Sequence, residues 1–169
     1  MAFSSRNLIG LARTALRAAR HLAPGPARTP PPARQPGGKV TDYTGSAVKP
    51  AYAPNPDGAP DPGEVVWAWV PYEDDPSQGK DRPVLLIGRS GSRLLGLMLT
   101  TRDRNNSAGT DPDYLDIGTG AWDSKRRPSE VKLDRVLALE PSAVRRQGAV
   151  VDRAVFERVA RHLAQRHPR

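Results

Sequence analysis

The stretch "GEVVWAWVPYEDDPSQGKDRPVLLIG", residues 63–88, decides the architecture. "EVVWAWVPY" (64–72) sets Val65, Trp67 and Trp69 against Val66, Ala68 and Val70, the period-two pattern of a β-strand. Both rows are apolar, so this strand is expected to be central, with the two tryptophans in the core. "EDDPSQGKD" (73–81) reads as a long polar loop and "RPVLLIGR" (82–89) as the next strand. Pro83 has no N–H to give to a ladder, which predicts that it opens that strand or lies on an edge. It also holds Arg82 extended, so Arg82 is expected at the strand mouth as a fixed cation.

Further strands follow outward from this pair. "SGS" (90–92) is a tight turn, "RLLGLMLTT" (93–101) a third strand and "YLDIG" (114–118) a short fourth. "VKLDRVLAL" (131–139) gives one or two strands with a break near Asp134. "WDSKRRPSE" (122–130) reads as a charged loop, with the place of Trp122 open, and "EPSAVRRQG" (140–148) as one helical turn. "VDRAVFERVARHLAQRH" (151–167) is a helix capped by Asp152, with an apolar stripe from Val155 to Leu163 and Arg158, Arg161 and Arg166 on its wet face. Five or so short strands and a terminal helix over 63–169 predict a mainly β domain, a small bent barrel or α+β. The βαβ alternation of a dinucleotide fold is absent.

Residues 1–23 read as an amphipathic basic helix, with Leu8, Leu16 and Leu22 among alanines on one side and Arg6, Arg13, Arg17 and Arg20 on the other. It is too short and charged to span a bilayer. Contact with an anionic membrane is the less favoured reading, because an alanine face binds lipid weakly. Residues 24–62 carry eleven prolines and read as a disordered linker.

The net charge is +8, which favours polyanionic partners. Residues 1–60 hold eight basic residues against Asp42 and Asp57, so most of the excess lies in the arm. There is no cysteine, hence no disulfide framework, in keeping with a cytoplasmic protein. The three histidines have no metal-ligand spacing with a carboxylate, and no phosphate loop or nucleophile elbow occurs, so no metal or cofactor is expected.

With Gly63, Glu64 and Trp67, the Gln78-Gly79…Arg82-Pro83 corner, "LMLTT" and the late "VKLDRVLALEPSAV", residues 62–165 resemble the MazF/PemK family of toxin ribonucleases. The resemblance implies an SH3-like small barrel of the CcdB/MazF type and a homodimer. It also implies metal-free cleavage of single-stranded RNA in a groove that a cognate antitoxin peptide blocks. It makes Arg82 and Thr100 active-site residues, and aligns Lys132 and Asp134 with a basic–acidic pair on the late strand. The related CcdB fold acts by binding, so a non-catalytic module for RNA, DNA or protein is the alternative.

Attack by a 2′-hydroxyl needs a base, a stabiliser for the phosphorane and an acid for the leaving oxygen. Asp134 suits the base. The Arg82 fork suits the phosphorane. Lys132 suits the acid if a neighbouring cation lowers its pKa, and Thr100 can hydrogen-bond a phosphate oxygen. Ser77, Gln78, Lys80, Thr101 and Arg102 are expected to touch substrate, and Lys125, Arg126 and Arg127 the RNA backbone.

Overall fold

Glu64–Pro71 is a strand, as the tryptophan pattern predicts, and every other strand is placed relative to it. The structure, a computed structural model, describes residues 37–45, 47–104 and 111–167. The helix expected over 1–23 and the first part of the proline-rich stretch lie outside them. Among the described residues, seven strands run in chain order: β1 Val40–Asp42, β2 Glu64–Pro71, β3 Gly79–Ser90, β4 Arg93–Thr100, β5 Tyr114–Gly118, β6 Ser129–Leu139 and β7 Val144–Val150. Helix α1, Arg153–Arg166, ends the described domain. The domain is mainly β with a C-terminal helix, as expected.

All pairs are antiparallel, in the order β1-β6-β4-β3-β2-β7, with β5 beside β6. β1 and β7 do not pair with each other, so the sheet is open. It nevertheless curls far enough that β1 packs against β2 across the three strands between them. Strand alternation then makes two cores. Inside the curl lie Val66, Ala68, Val84, Leu86, Leu94, Leu137 and Leu139. On the outer face Val65, Leu85, Leu95, Leu97 and Leu99 meet Phe156, Val159 and Leu163 of α1. Each fully buried leucine contributes about 1.5–3 kcal/mol by leaving water, so these two layers dominate the stability.

Several expectations change. Residues 24–62 are not all linker. β1 pairs with β6, and beyond it the Ala51 N–H donates to Ile87 O at 2.9 Å. The Tyr52 hydroxyl donates to Val151 O at 2.8 Å, and its ring meets Phe156 edge-on at 5.2 Å. Residues 140–148 hold only a single 3-10 turn, Pro141–Ala143, before the chain becomes β7. Pro83 is not the first residue of its strand. β3 begins at Gly79, but its ladder to β4 begins only at Val84, so among the described strands residues 79–83 pair with β2 alone. The proline still sits where one side lacks a partner, which is what its missing N–H requires.

The tryptophans trade places. Trp122 is buried and its indole N–H donates to Ser129 Oγ at 3.1 Å, whereas Trp67 and Trp69 are half-buried, with the Arg146 guanidinium 4.4 Å from the Trp67 ring centroid. The charged stretch 122–130 is therefore not a plain loop, and Ser129 and Glu130 already belong to β6. On α1, Arg158 donates to Asp116 O at 2.9 Å and Arg166 pairs with Asp113, so two of its arginines fasten the helix to the β5 region.

β6 is one strand, yet its register to β4 jumps from Leu97↔Val136 to Leu99↔Val131. Residues 132–135 drop out of that ladder, as at a large bulge. The break expected near Asp134 is this excursion, and it carries Lys132, Asp134 and Arg135 out of the β4 pairing.

Candidate active site

Alternation places Lys80 and Arg82 on the face of β3 that continues into the inner core, opposite Val70 and Ala68 of β2. Met98 and Thr100 of β4 follow on the same face, because Val84 stands opposite Met98. The mouth of the curl is thus a groove of about 410 Å3 lined by Lys80, Arg82, Met98, Thr100, Thr101, Arg102, Arg104 and Tyr114. Among the described residues its lining holds four cations and no carboxylate.

The groove gathers Arg82, Thr100, Lys80, Thr101 and Arg102 from the expected set. No ion pair or side-chain hydrogen bond engages the charged ends of Lys80, Arg82 or Arg102 among the described residues. The Thr100 hydroxyl accepts the Arg102 N–H at 3.1 Å, which leaves its own hydrogen to donate. Three lining residues, Met98, Arg104 and Tyr114, are not among the expected site residues. The Arg104 guanidinium lies 5.6 Å from the Tyr114 ring centroid, and its backbone N–H is held by both oxygens of buried Glu130, at 3.2 and 3.1 Å. The only signals are the Arg102-x-Arg104 spacing and a tyrosine opening a strand.

The acids near Arg82 are engaged elsewhere. Asp81 stands opposite Trp69 on the other face of β3 and pairs with Arg145. Asp75 accepts from the Ser77 hydroxyl at 2.6 Å and from Gln78 Nε2 at 2.7 Å; these bonds, Ser77's first, lower its pKa. Ser77 and Gln78 therefore order the β2–β3 loop. Neither lines the groove, and Ser77 faces a different cavity, beside Trp69 and Arg135.

Lys132 stands opposite Tyr114, one strand from the groove, but its ammonium turns away. It donates to Glu73 Oε1 at 2.5 Å and to Asp134 Oδ2 at 3.0 Å. Burial pulls its pKa down, but the two carboxylates outweigh that and the net shift is upward. The lowering expected of a proton donor does not occur, because its charged neighbours are anions. Asp134 and Glu73 line a separate cavity with Asp42, Arg135 and His167, so the structure does not gather the expected base with Arg82 and Thr100.

The basic run divides as well. Lys125 and Arg126 are exposed, and Arg126 adopts a positive φ of 50°. Arg127 clasps Asp123 through Nε at 3.0 Å and a terminal nitrogen at 2.8 Å, and also donates its backbone N–H. This clasp lowers the Asp123 pKa to about 2. Among the described residues no group of three or more His, Cys, Asp or Glu side chains is placed to hold a metal ion.

The class is a small antiparallel β domain with a cationic groove at the mouth of its curl. Residues 61–166 match the family model of the PemK-like, MazF-like toxins of type II toxin–antitoxin systems, and the chain belongs to that family. No curated protein matches it in sequence. Among solved structures it is similar to an endoribonuclease in complex with its cognate antitoxin from a mycobacterial species (18% identity, 64% of this chain and 94% of that one, TM-score 0.49). It is also similar to MazF from Deinococcus radiodurans (20% identity, 64% and 96%, TM-score 0.49). A third is the Mycobacterium tuberculosis toxin MazF-mt6 (16% identity, 61% and 94%, TM-score 0.44).

Proposed function

We propose that the protein is an endoribonuclease that cleaves single-stranded RNA without a metal, acting in the cytoplasm as a homodimer and silenced by a cognate antitoxin peptide. The observation that carries this reading is the groove itself: four cations and the Thr100 hydroxyl converge on one concavity without a carboxylate among its described lining residues. In the reaction a ribose O2′ bonds to the adjacent phosphorus and the P–O5′ bond breaks. The products are a 2′,3′-cyclic phosphate and a 5′-hydroxyl. The 2′-hydroxyl loses its proton and O5′ gains one.

The Arg82 fork takes two phosphorane oxygens, and its charge is permanent. Thr100 donates its free hydrogen to a phosphate oxygen. Lys80, Arg102 and Arg104 hold the flanking phosphates. With Lys132 and Asp134 tied to each other and to Glu73, the protons pass through solvent, and the protein's share of catalysis is electrostatic.

The test is incubation of a long single-stranded RNA with chelator, using wild type, Arg82→Ala and Thr100→Val. Fragments ending in a cyclic phosphate are expected from wild type. The rate is expected to fall at least about 100-fold in Arg82→Ala, the scale of losing one transition-state donor. Cutting by Arg82→Ala at the wild-type rate would overturn the assignment. A described lining without carboxylate or imidazole favours a second reading, a groove that binds RNA without cutting it. Intact RNA with salt-sensitive binding would establish that one.

A further inference from the structure

Tyr114 lines two cavities. One is the cationic groove; the other, of about 560 Å3, lies between β5 and α1. The second cavity has an apolar bed that includes Leu115 and Leu133, and its polar lining is Asp116, Arg158, His162, Gln165 and Arg166. We propose that it is a subsite for the nucleotide flanking the cut, holding a base that stacks on Tyr114. This rests on the reading of the groove as an RNA site and specifies where the strand continues.

Three observations support it. Tyr114 joins the two cavities, so a strand held by Arg82 reaches the second one by passing the ring, and aromatic rings are stacking platforms for single-stranded bases. Arg158 lines this cavity, and its Nε has no hydrogen-bond partner among the described residues. His162 Nδ1 lies 2.9 Å from Arg158 O. A carbonyl only accepts, so Nδ1 carries a proton, and in the neutral ring Nε2 is an acceptor for an exocyclic amine. An apolar floor with both donors and acceptors on its walls suits a nucleobase. A plain phosphate site would not need the leucines.

The experiment uses the full chain and 2′-O-methyl oligonucleotides, which bind but cannot be cut, with one nucleotide at a time made abasic. In wild type, removing the base at one position beside the cut is expected to weaken binding about tenfold, within the range for one stacked base. Tyr114→Leu and His162→Ala should bind the intact strand about tenfold more weakly and lose sensitivity to that abasic position. Tyr114→Phe should behave as wild type. If wild type cuts RNA, and Tyr114→Leu and His162→Ala bind every oligonucleotide as wild type does with unchanged cut sites, the subsite is overturned and the groove stands. If wild type neither binds nor cuts, the groove reading fails and the subsite with it. Melting curves of the variants separate lost binding from lost folding.

Discussion

Glu73 Oε1 sits 2.5 Å from the Lys132 ammonium, although 59 positions separate the two residues. The bond ties the start of the β2–β3 loop to the excursion of β6. Arg135 adds to it by donating to Pro71 O at 2.9 Å and to Asp42 Oδ1 of β1 at 2.7 Å. The loop that delivers Lys80 and Arg82 is thus fastened at its root by two β6 cations. Lys132→Met should loosen it and cost on the order of 1–2 kcal/mol, the scale of a hydrogen bond to a charged group. The Lys132 pKa is raised on folding. Its contribution is therefore complete below the unfolded value of about 10.5 and is lost as pH climbs through the higher folded value. Urea midpoints of wild type and Lys132→Met should differ at about pH 8 and converge toward about pH 12.

Asp123 titrates in the opposite sense. Its folded pKa of about 2 lies below the usual 3.8 because of the Arg127 clasp. The stabilisation is present above about pH 4 and disappears as pH falls through about 2. Asp123→Asn should lower the melting temperature at neutral pH and match wild type in strong acid. Because Arg127 is occupied by this clasp, Arg127→Gln should weaken RNA binding less than Lys125→Gln does, read by fluorescence anisotropy.

The groove cations make a separate prediction about salt. For single strands the logarithm of affinity falls with the logarithm of salt by about 0.7 per phosphate neutralised. Lys80→Gln, Arg102→Gln and Arg104→Gln should each flatten that slope by about 0.7. Arg145→Gln should leave it unchanged, because that guanidinium faces Asp81.

Tyr52 precedes the segment that matches the family model, yet it touches Phe156 and Val151 and lies under the Arg153 guanidinium at 4.4 Å. Tyr52→Phe should cost about 1 kcal/mol for the hydrogen bond. Tyr52→Ala should cost on the order of 2–3 kcal/mol, the lower side for a large-to-small change because the ring is only partly buried. Denaturant unfolding measures both.

Apolar runs bounded by turn and loop residues made β2, β3, β4 and β6 legible, with a two-residue face pattern read along β2. β7 is hidden because Arg145-Arg146-Gln147 offers no apolar alternation; only pairing to β2 makes it a strand. β1 is three residues in a proline- and glycine-rich stretch, and its partner on β6 lies far along the chain, Val40 against Leu139. Trp67 and Trp69 misled because their row meets Arg146, Asp81 and Pro83 across the ladders, where an apolar layer was expected. In the candidate site, Arg82 and Thr100 could be named from motif and strand position. Arg104 and Tyr114 could not, since both are placed by β6, where Glu130 holds the Arg104 N–H and Lys132 stands opposite Tyr114. Nor could the fate of Lys132 be read, because one of its two partners is Glu73, which the sequence places in another loop.

Lys80-Asp81-Arg82 presents its cations to the groove and its acid to the far face only in one register. Gly79 marks that register: a side chain there would begin 2.5 Å from Val70 O and 2.7 Å from the Trp69 indole, so none fits. Slide β3 by one residue against β2 and Asp81 would enter the concavity while both cations turned to the far side. With composition, net charge and strands all unchanged, the concavity would then keep two of its four cations and gain a carboxylate beside them. How much positive charge this concavity gathers is set by the register of one hydrogen-bond ladder, and no count of the chain's charges would reveal it.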